Sequence, residues 1–234
     1  MKVTLLVPTL NEVDGMRTIM PKIKREWVHQ ILVVDGQSTD GTVEEAKKQG
    51  YDVVIQQKMG MRHAYMEALP HVTGEAILTF SPDGNSIVEL IPECIKKLQE
   101  GYDMVIVSRY AKGAKSYDDD WITGFGNWLF TTLINILHGG HYTDAMVIYR
   151  AYSKKLVYDL DLDKDSSYEF EEKLFRTKIS WEPLLTIRAA KRRLKTVDIP
   201  GDEPAREGGE RKLQVLKWGA AYMWEVWREI FVWR

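Results

Sequence analysis

Short apolar runs alternate with longer amphipathic stretches through the first half of the chain. The runs at 3–7, 31–34, 53–55, 76–80 and 104–107 are each stopped by proline, glycine or a polar residue. Runs this short and continuous predict strands buried on both faces. The stretches at 61–69 and 87–98, and the one that follows the polar turn 37–42 as far as about 48, predict helices. Strand and helix alternate, so this half predicts βαβ units on a mainly parallel sheet. The second half is less regular. Residues 121–137 are apolar with a helical period, and Gly139-Gly140 ends them. Helices are expected at 168–178 and 183–193, the second with Pro183 in its first turn and Glu182 at the positive end of its dipole. Residues 145–149 and 195–199 are expected to be strands. At the C-terminus, Leu213, Leu216, Ala220, Met223, Trp224, Trp227, Ile230 and Phe231 recur at three-and-four spacing, with Lys217, Glu225, Arg228 and Glu229 between them. This predicts an amphipathic helix over 213–234. Its apolar stripe packs on the domain, packs on a second copy as a homo-oligomer, or lies in a membrane interface.

Composition narrows the class. At 234 residues, 44% hydrophobic and 28% charged, the chain has enough apolar material for a sizeable core. We expect one domain over 1–234, with a ligand-binding half at 1–110, a second half at 111–212 and the C-terminal helix. The net charge of −2 creates no field that would draw nucleic acid. The single cysteine, Cys94, excludes an intrachain disulfide and is expected to be a buried thiol. The apolar run in MKVTLLVPTLNE meets Pro8 and Asn11 too early for a signal peptide, and no stretch approaches the ~20 apolar residues of a spanning helix. The expected location is the cytoplasm, or the cytoplasmic face of a membrane.

Candidate chemistry gathers at strand ends. Three predicted strands run into Asp35, Asp83 and Arg109, and parallel strands bring such ends to one rim, where ligands bind in open α/β sheets. In SPDGNS, Pro82 breaks the strand and delivers Asp83 and Asn85. A carboxylate beside an amide oxygen suits a hard divalent cation shared with a diphosphate. The plainer alternative is a Pro-Asp-Gly-Asn turn. The histidines (His29, His63, His71, His138 and His141) show no metal-ligand spacing.

Taken in order, these landmarks resemble glycosyltransferase family two, which has the GT-A fold, and within it the dolichyl- and polyprenyl-phosphate sugar transferases. The resemblance runs from about 3 to 213. VPTLNE and VVDGQSTDGT match the nucleotide-binding segments, SPDGNS stands at the Asp-x-Asp metal motif, and VSRY follows the next strand. TDAMVIYRAY, WEPLLTIRAAKRRLKTVDIP and REGGERKL match the later segments. The resemblance implies a Rossmann-like, mainly parallel sheet flanked by helices. It implies a metal-dependent inverting transferase that uses a UDP- or GDP-linked sugar and Mg²⁺ or Mn²⁺. Pro8, Leu10 and Glu12 would line the base and ribose pocket, and Asp35 would accept from the nucleobase. Asp83 and Asn85 would ligate the metal. Arg109, Arg206 and Lys212 would pair with phosphates, while Ser38 and Arg62 complete the donor set. Glu182 and Asp144 are the candidate bases. The expected acceptor is polyprenyl phosphate; the alternatives are a soluble hydroxyl or phosphate acceptor, nucleotidyl transfer, or a non-catalytic nucleotide-sugar-binding protein. The sequence departs from the family where Ser81 replaces the first metal-motif Asp, and where Val147 and Ile148 replace a Ser-Gly pair. Residues 153–180 are also longer than the family needs, and REGGERKL is followed by no transmembrane helices.

Overall fold

Seven residues of β1 (Val3–Thr9) are all buried, as the unbroken apolar run requires. β1 is the centre of a parallel group, because both of its edges are occupied by strands running its own way. The computed structural model describes residues 1–205 and 215–233. Along the chain, α1 (Val13–Thr18), β2 (Gln30–Asp35), α2 (Thr42–Lys48), β3 (Asp52–Ile55), α3 (Met61–Ala68), β4 (Ala76–Thr79), α4 (Ile91–Gln99) and β5 (Met104–Ser108) follow β1. Then come α5 (Trp121–His138), β6 (Arg150–Ser153), α6 (Lys154–Asp159), α7 (Glu169–Phe175), α8 (Glu182–Lys191), β7 (Thr196–Pro200) and α9 (Val215–Phe231).

The sheet order is β3-β2-β1-β4-β6-β5-β7. All pairings are parallel except those of β6, which runs antiparallel to both β4 and β5. The mainly parallel α/β sheet expected from the sequence is therefore correct, with one reversed strand inside it. A reversed strand begins where its neighbours end, so the segment entering β6 joins the C-terminal rim of β1, β2, β4 and β5. The strand order also turns around at β1: β2 and β3 lie on one side, β4 on the other. The crevice outside the ends of β1 and β4 is the topological switch point, where open α/β sheets bind ligands.

Both faces of the sheet are covered. On one, Leu5, Val7, Leu78 and Val105 pack with Met16, Ile91, Cys94 and Ile95. Cys94 is wholly buried, and burial pushes its thiol pKa up. On the other, Leu6, Ile77 and Ile106 pack with Tyr65, Tyr152 and Trp181, and with α8. Trp181 is fully enclosed and stacks on Tyr65 with ring centroids 4.7 Å apart.

Two local expectations are corrected. Residues 145–149 are not a strand; β6 starts at Arg150. The Asp144 carboxylate takes the N–H groups of Met146 and Val147, so this stretch turns instead of pairing. α7 stops at Phe175 because Arg176 enters the left-handed region with φ 49°. The C-terminal helix forms as expected, and most of the large members of its apolar stripe do not pack on the domain. Ala221, Tyr222, Glu225, Val226 and Glu229 are buried, whereas Trp224, Trp227 and Phe231 are exposed.

The inward face of α9 holds its acids at a cost. Glu229 makes a bidentate pair with Arg188 (3.0 and 3.1 Å) and also meets Arg228. Glu225 is surrounded by Arg228, Glu171, Glu229, Arg188 and Tyr168, and burial raises its carboxyl pKa well above the ordinary glutamate value. A raised folded-state pKa gives stability that is complete below the unfolded value and is lost as pH rises through the folded one. Glu225→Gln should therefore match the wild type near pH 4. Above about pH 4.5 it should gain on it by up to ~1.4 kcal/mol per pH unit. Thermal unfolding across a buffer series checks this; parallel curves for the two proteins would refute it.

Candidate active site

The first half of the rim is a knot between two loops. Strand register sets Thr9 beside Asp35, and the Thr9 hydroxyl donates to the Asp35 carboxylate at 2.9 Å. The Ser38 N–H and hydroxyl donate to the same carboxylate at 2.7 and 2.6 Å. Asn11, in the left-handed region at φ 57°, donates its N–H to the Ser38 hydroxyl and accepts from the Thr39 N–H. Glu12 N–H donates to Thr42, and Val13 N–H to Asp40. Asp35 is thus fully buried and caps its own turn. Pro8 lies in β1, paired with Val34, while Leu10 and Glu12 are partly exposed at the mouth.

Across the crevice, the chain leaves β4 through Ser81-Pro82-Asp83. Asp83 is buried and Asn85 half-buried; the Asn85 N–H donates to the Asp83 carboxylate at 3.3 Å, and Gly84 carries φ 88°. Both the turn chemistry and the donor pair expected from the sequence are present in one loop. α1 presses against this loop so closely that a Cβ on Gly15 would sit 1.9 Å from the Pro82 carbonyl oxygen. Only glycine allows that approach. Asp83 and Asn85 supply a carboxylate and an amide oxygen, the donor chemistry a hard cation takes. Among the described residues, no group of three or more His, Cys, Asp or Glu side chains is placed to hold a metal. A cation at Asp83 would therefore complete its coordination with donor phosphates and water.

The other half of the rim is an ion-pair cluster. Arg109 follows β5 and grips Asp144 from two sides (Nε 2.7 Å, Nη2 3.1 Å). Its Nη1 reaches Glu203 at 3.2 Å and Asp119 at 3.5 Å. Asp119 also accepts from the Tyr110 hydroxyl, and Glu203 from the Ser116 hydroxyl. Burial pushes the Glu203 carboxyl up, against the pull of Arg109. The expected phosphate ligand Arg109 is thus bound to carboxylates, and the candidate base Asp144, wholly buried, is bound to Arg109.

Glu182 begins α8 and is 1% exposed. It accepts from the Tyr65 hydroxyl at 2.7 Å and from the Ser180 hydroxyl. Arg62, in the first turn of α3, is taken up by acids: Glu172 holds its guanidinium in a bidentate pair, and Asp165 accepts from Nη1 at 2.6 Å. Arg206 and Lys212 lie outside the described residues. A surface cavity of about 450 Å³ at Gln30, Asp52 and His71 belongs to the opposite edge of the sheet.

Three organisers carried no expected role. Arg150 is fully buried and donates to the carbonyls of Val147, Ala145 and Glu182 and to the Thr186 hydroxyl, tying the segment after Asp144 to α8. An arginine opening a buried strand was the available signal. Glu203 and Tyr65 had none, because their partners are distant in sequence.

A mixed α/β sheet with its polar rim at the β1/β4 switch point is the GT-A arrangement of a glycosyltransferase. The model of glycosyl transferase family 2 matches residues 4–161, and the chain belongs to that family. It is 28% identical over 231 residues to glycosyltransferase AglJ of Haloferax volcanii, covering 97% of this chain and 71% of that protein. It is 28% identical over 220 residues to a dolichyl-phosphate hexose transferase of the same organism, covering 93% and 89%. The resemblance drawn from the motifs is thereby supported. Among solved structures, glucosyl-3-phosphoglycerate synthase of Mycobacterium tuberculosis with Mn²⁺, UDP and phosphoglyceric acid superposes with a TM-score of 0.67. The identity is 17%, over 99% of this chain and 79% of that one, so it shows the fold.

Arg109→Gln should leave Asp144 buried without its cation and lower stability by about 3–5 kcal/mol. Chemical denaturation measures this. A variant as stable as the wild type that has lost only donor affinity would return Arg109 to the phosphate role.

Proposed function

We propose that this glycosyltransferase moves a sugar from a UDP- or GDP-linked donor to polyprenyl phosphate at the cytoplasmic face of a membrane, with inversion at the anomeric carbon. The observation that carries the acceptor class is the state of the two candidate bases. Glu182 and Asp144 are buried and engaged, one by Tyr65 and Ser180, the other by Arg109. A hydroxyl acceptor needs a positioned base; a phosphate acceptor is already anionic near neutral pH and does not. The dolichyl-phosphate hexose transferase among the relatives supports the same class.

In this reading, the 8–12 and 36–40 loops hold the nucleoside in the crevice, with Asp35 keeping their shape. Asp83 and Asn85 would hold Mg²⁺ or Mn²⁺, which when bound would supply positive charge to the nucleoside diphosphate. The structural relative with bound Mn²⁺ and UDP supports that cofactor class. Arg206 and Lys212 are the cations proposed for phosphate. Arg150 and Arg109 set the backbone between Asp144 and β6, the wall on the acceptor side. An anionic acceptor oxygen attacks the anomeric carbon opposite the leaving group, and no proton has to pass to the protein.

Two measurements test this. Transfer from a panel of UDP- and GDP-sugars to polyprenyl phosphate should depend on divalent metal, and its rate should rise with pH only through ionisation of the acceptor phosphate near 6 and be level above about pH 7. Preference for a hydroxyl acceptor, with a rise that follows the ionisation of an enzyme base instead, would overturn the acceptor class. Asp83→Asn should weaken Mn²⁺-dependent donor binding and turnover about a hundredfold or more; unchanged calorimetric titration with nucleotide-sugar and Mn²⁺ would remove the metal assignment.

A further inference from the structure

Helices α5 and α9 carry large apolar side chains on the face turned to water as well as on the face buried in the core. On α5, Trp121 is 81% exposed, Trp128 60% and Phe125 55%, with Ile122 and Ile136 exposed beside them. Positions 121, 125, 128, 132 and 136 fall on one stripe of a 3.6-residue helix. The buried face carries Asn127, Thr131 and His138 alongside Phe130 and Ile134. Thr131 accepts from the Ala145 N–H at 3.0 Å, and His138 Nε2 is bonded to the Val226 carbonyl at 3.0 Å. No Asp, Glu, Lys or Arg occurs anywhere in 121–138. α9 likewise has Glu225 and Glu229 inside and Trp224, Trp227 and Phe231 outside. The two helices touch: Phe130 meets Tyr222 edge-on at 6.3 Å.

We propose that the outer face of α5 is a lipid-docking surface that seats a bilayer beside the strand-end rim; the purpose assigned to it rests on the polyprenyl phosphate reading above. Exposed apolar surface costs about 25 cal/mol per Å² in water, and contiguous patches mark interaction sites. Trp and other aromatic side chains are favoured at a membrane–water interface, where an amphipathic helix lies flat. Among the described residues no helix is long and apolar enough to cross a membrane. The loop leading into α5 is mixed in charge: Lys112, Lys115 and Asp120 are exposed and Asp118 is half-buried, while Asp119 turns in to Arg109 and Tyr110, and Asp120 caps the helix by accepting from the Thr123 N–H. The face is therefore matched to lipid by its aromatic side chains and not by charge. The same loop joins the face to the site: Asp119 shares Arg109 with Asp144, and a Cβ at Gly124 would lie 3.7 Å from the Tyr110 hydroxyl.

The test uses the full chain and the triple variant Trp121→Ser/Phe125→Ser/Trp128→Ser. Co-sedimentation with phosphatidylcholine–phosphatidylglycerol vesicles should fall about tenfold or more in partition coefficient, with the single variant Trp121→Ser changing less in the same direction. Transfer to polyprenyl phosphate in those vesicles should fall in step, while transfer to a short, water-soluble prenyl phosphate stays at the wild-type rate. Wild-type protein that never pellets, or a folded triple variant that pellets equally, overturns the proposal. So does a wild-type dimer in sedimentation velocity that the triple variant dissolves without loss of vesicle binding, because the occupant is then a second copy. Absence of transfer to either prenyl phosphate, with vesicle binding still dependent on α5, removes the acceptor reading and leaves the lipid surface standing.

Discussion

The rim of this sheet is governed by one constraint: a charge taken out of water must be met by a partner. Asp144 is wholly buried, and Arg109 meets it with two parallel hydrogen bonds. Such a pair is expensive to desolvate and more expensive to break. Its geometry decides where the segment entering β6 can lie, and β6 in turn separates β4 from β5. Glu203 and Asp119 converge on the same guanidinium and bring the 110–120 loop, and with it the start of α5, into place. Removing the arginine would therefore release the segment entering β6 together with the start of α5.

Seen from that constraint, the rim residues divide by what they are already doing. Asp35 holds the turn between β2 and α2 through Ser38, and Thr9 fixes it from the neighbouring strand. Glu182 holds the entry to α8 through Tyr65 and Ser180. Arg62 locks α3 to α7 through Glu172. These are side chains the sequence marks out for chemistry, and each has a structural bond to keep. The Asp83–Asn85 loop has its own bond to keep, from the Asn85 N–H to the Asp83 carboxylate, and it sets its oxygen donors in one short turn at the switch point that α1 can approach only through Gly15. The first half of the rim thus shapes the crevice and the second its far wall.

How much of this was legible follows from range. The strands and their polar ends could be read directly, since a run such as 76–80 followed by Pro82 leaves little choice locally. The order of motifs pointed to the family, which the match over 4–161 bears out. What could not be read is whatever depends on a partner far along the chain. That Arg109 is held by Asp144 and Glu203, 35 and 94 residues away, is of this kind. Residues 145–149 look like a strand because their apolar character is plain and the competing Asp144 turn is not. On α9 periodicity identifies a helix but does not say which side of it faces the protein.

Helix α9 shows why that last ambiguity is physical. A helix ordinarily hides its apolar stripe because burial removes it from water, and its charges remain outside because desolvation is costly. α9 departs from both, and the departure is stable because Arg188 and Arg228 are already inside to meet Glu229, and Arg228 to meet Glu171. The ion pairs are internal, so they are indifferent to what lies beyond the helix. The exposed tryptophans are not, since their free energy is set by the outer medium alone. Moving the protein from water to a lipid interface therefore changes the second contribution and leaves the first untouched. Glu171 and Glu229 are thus held by pairs that do not depend on the outer face, whereas Glu225, buried beside them, keeps a raised carboxyl pKa and is the part of that inward face still held at a cost.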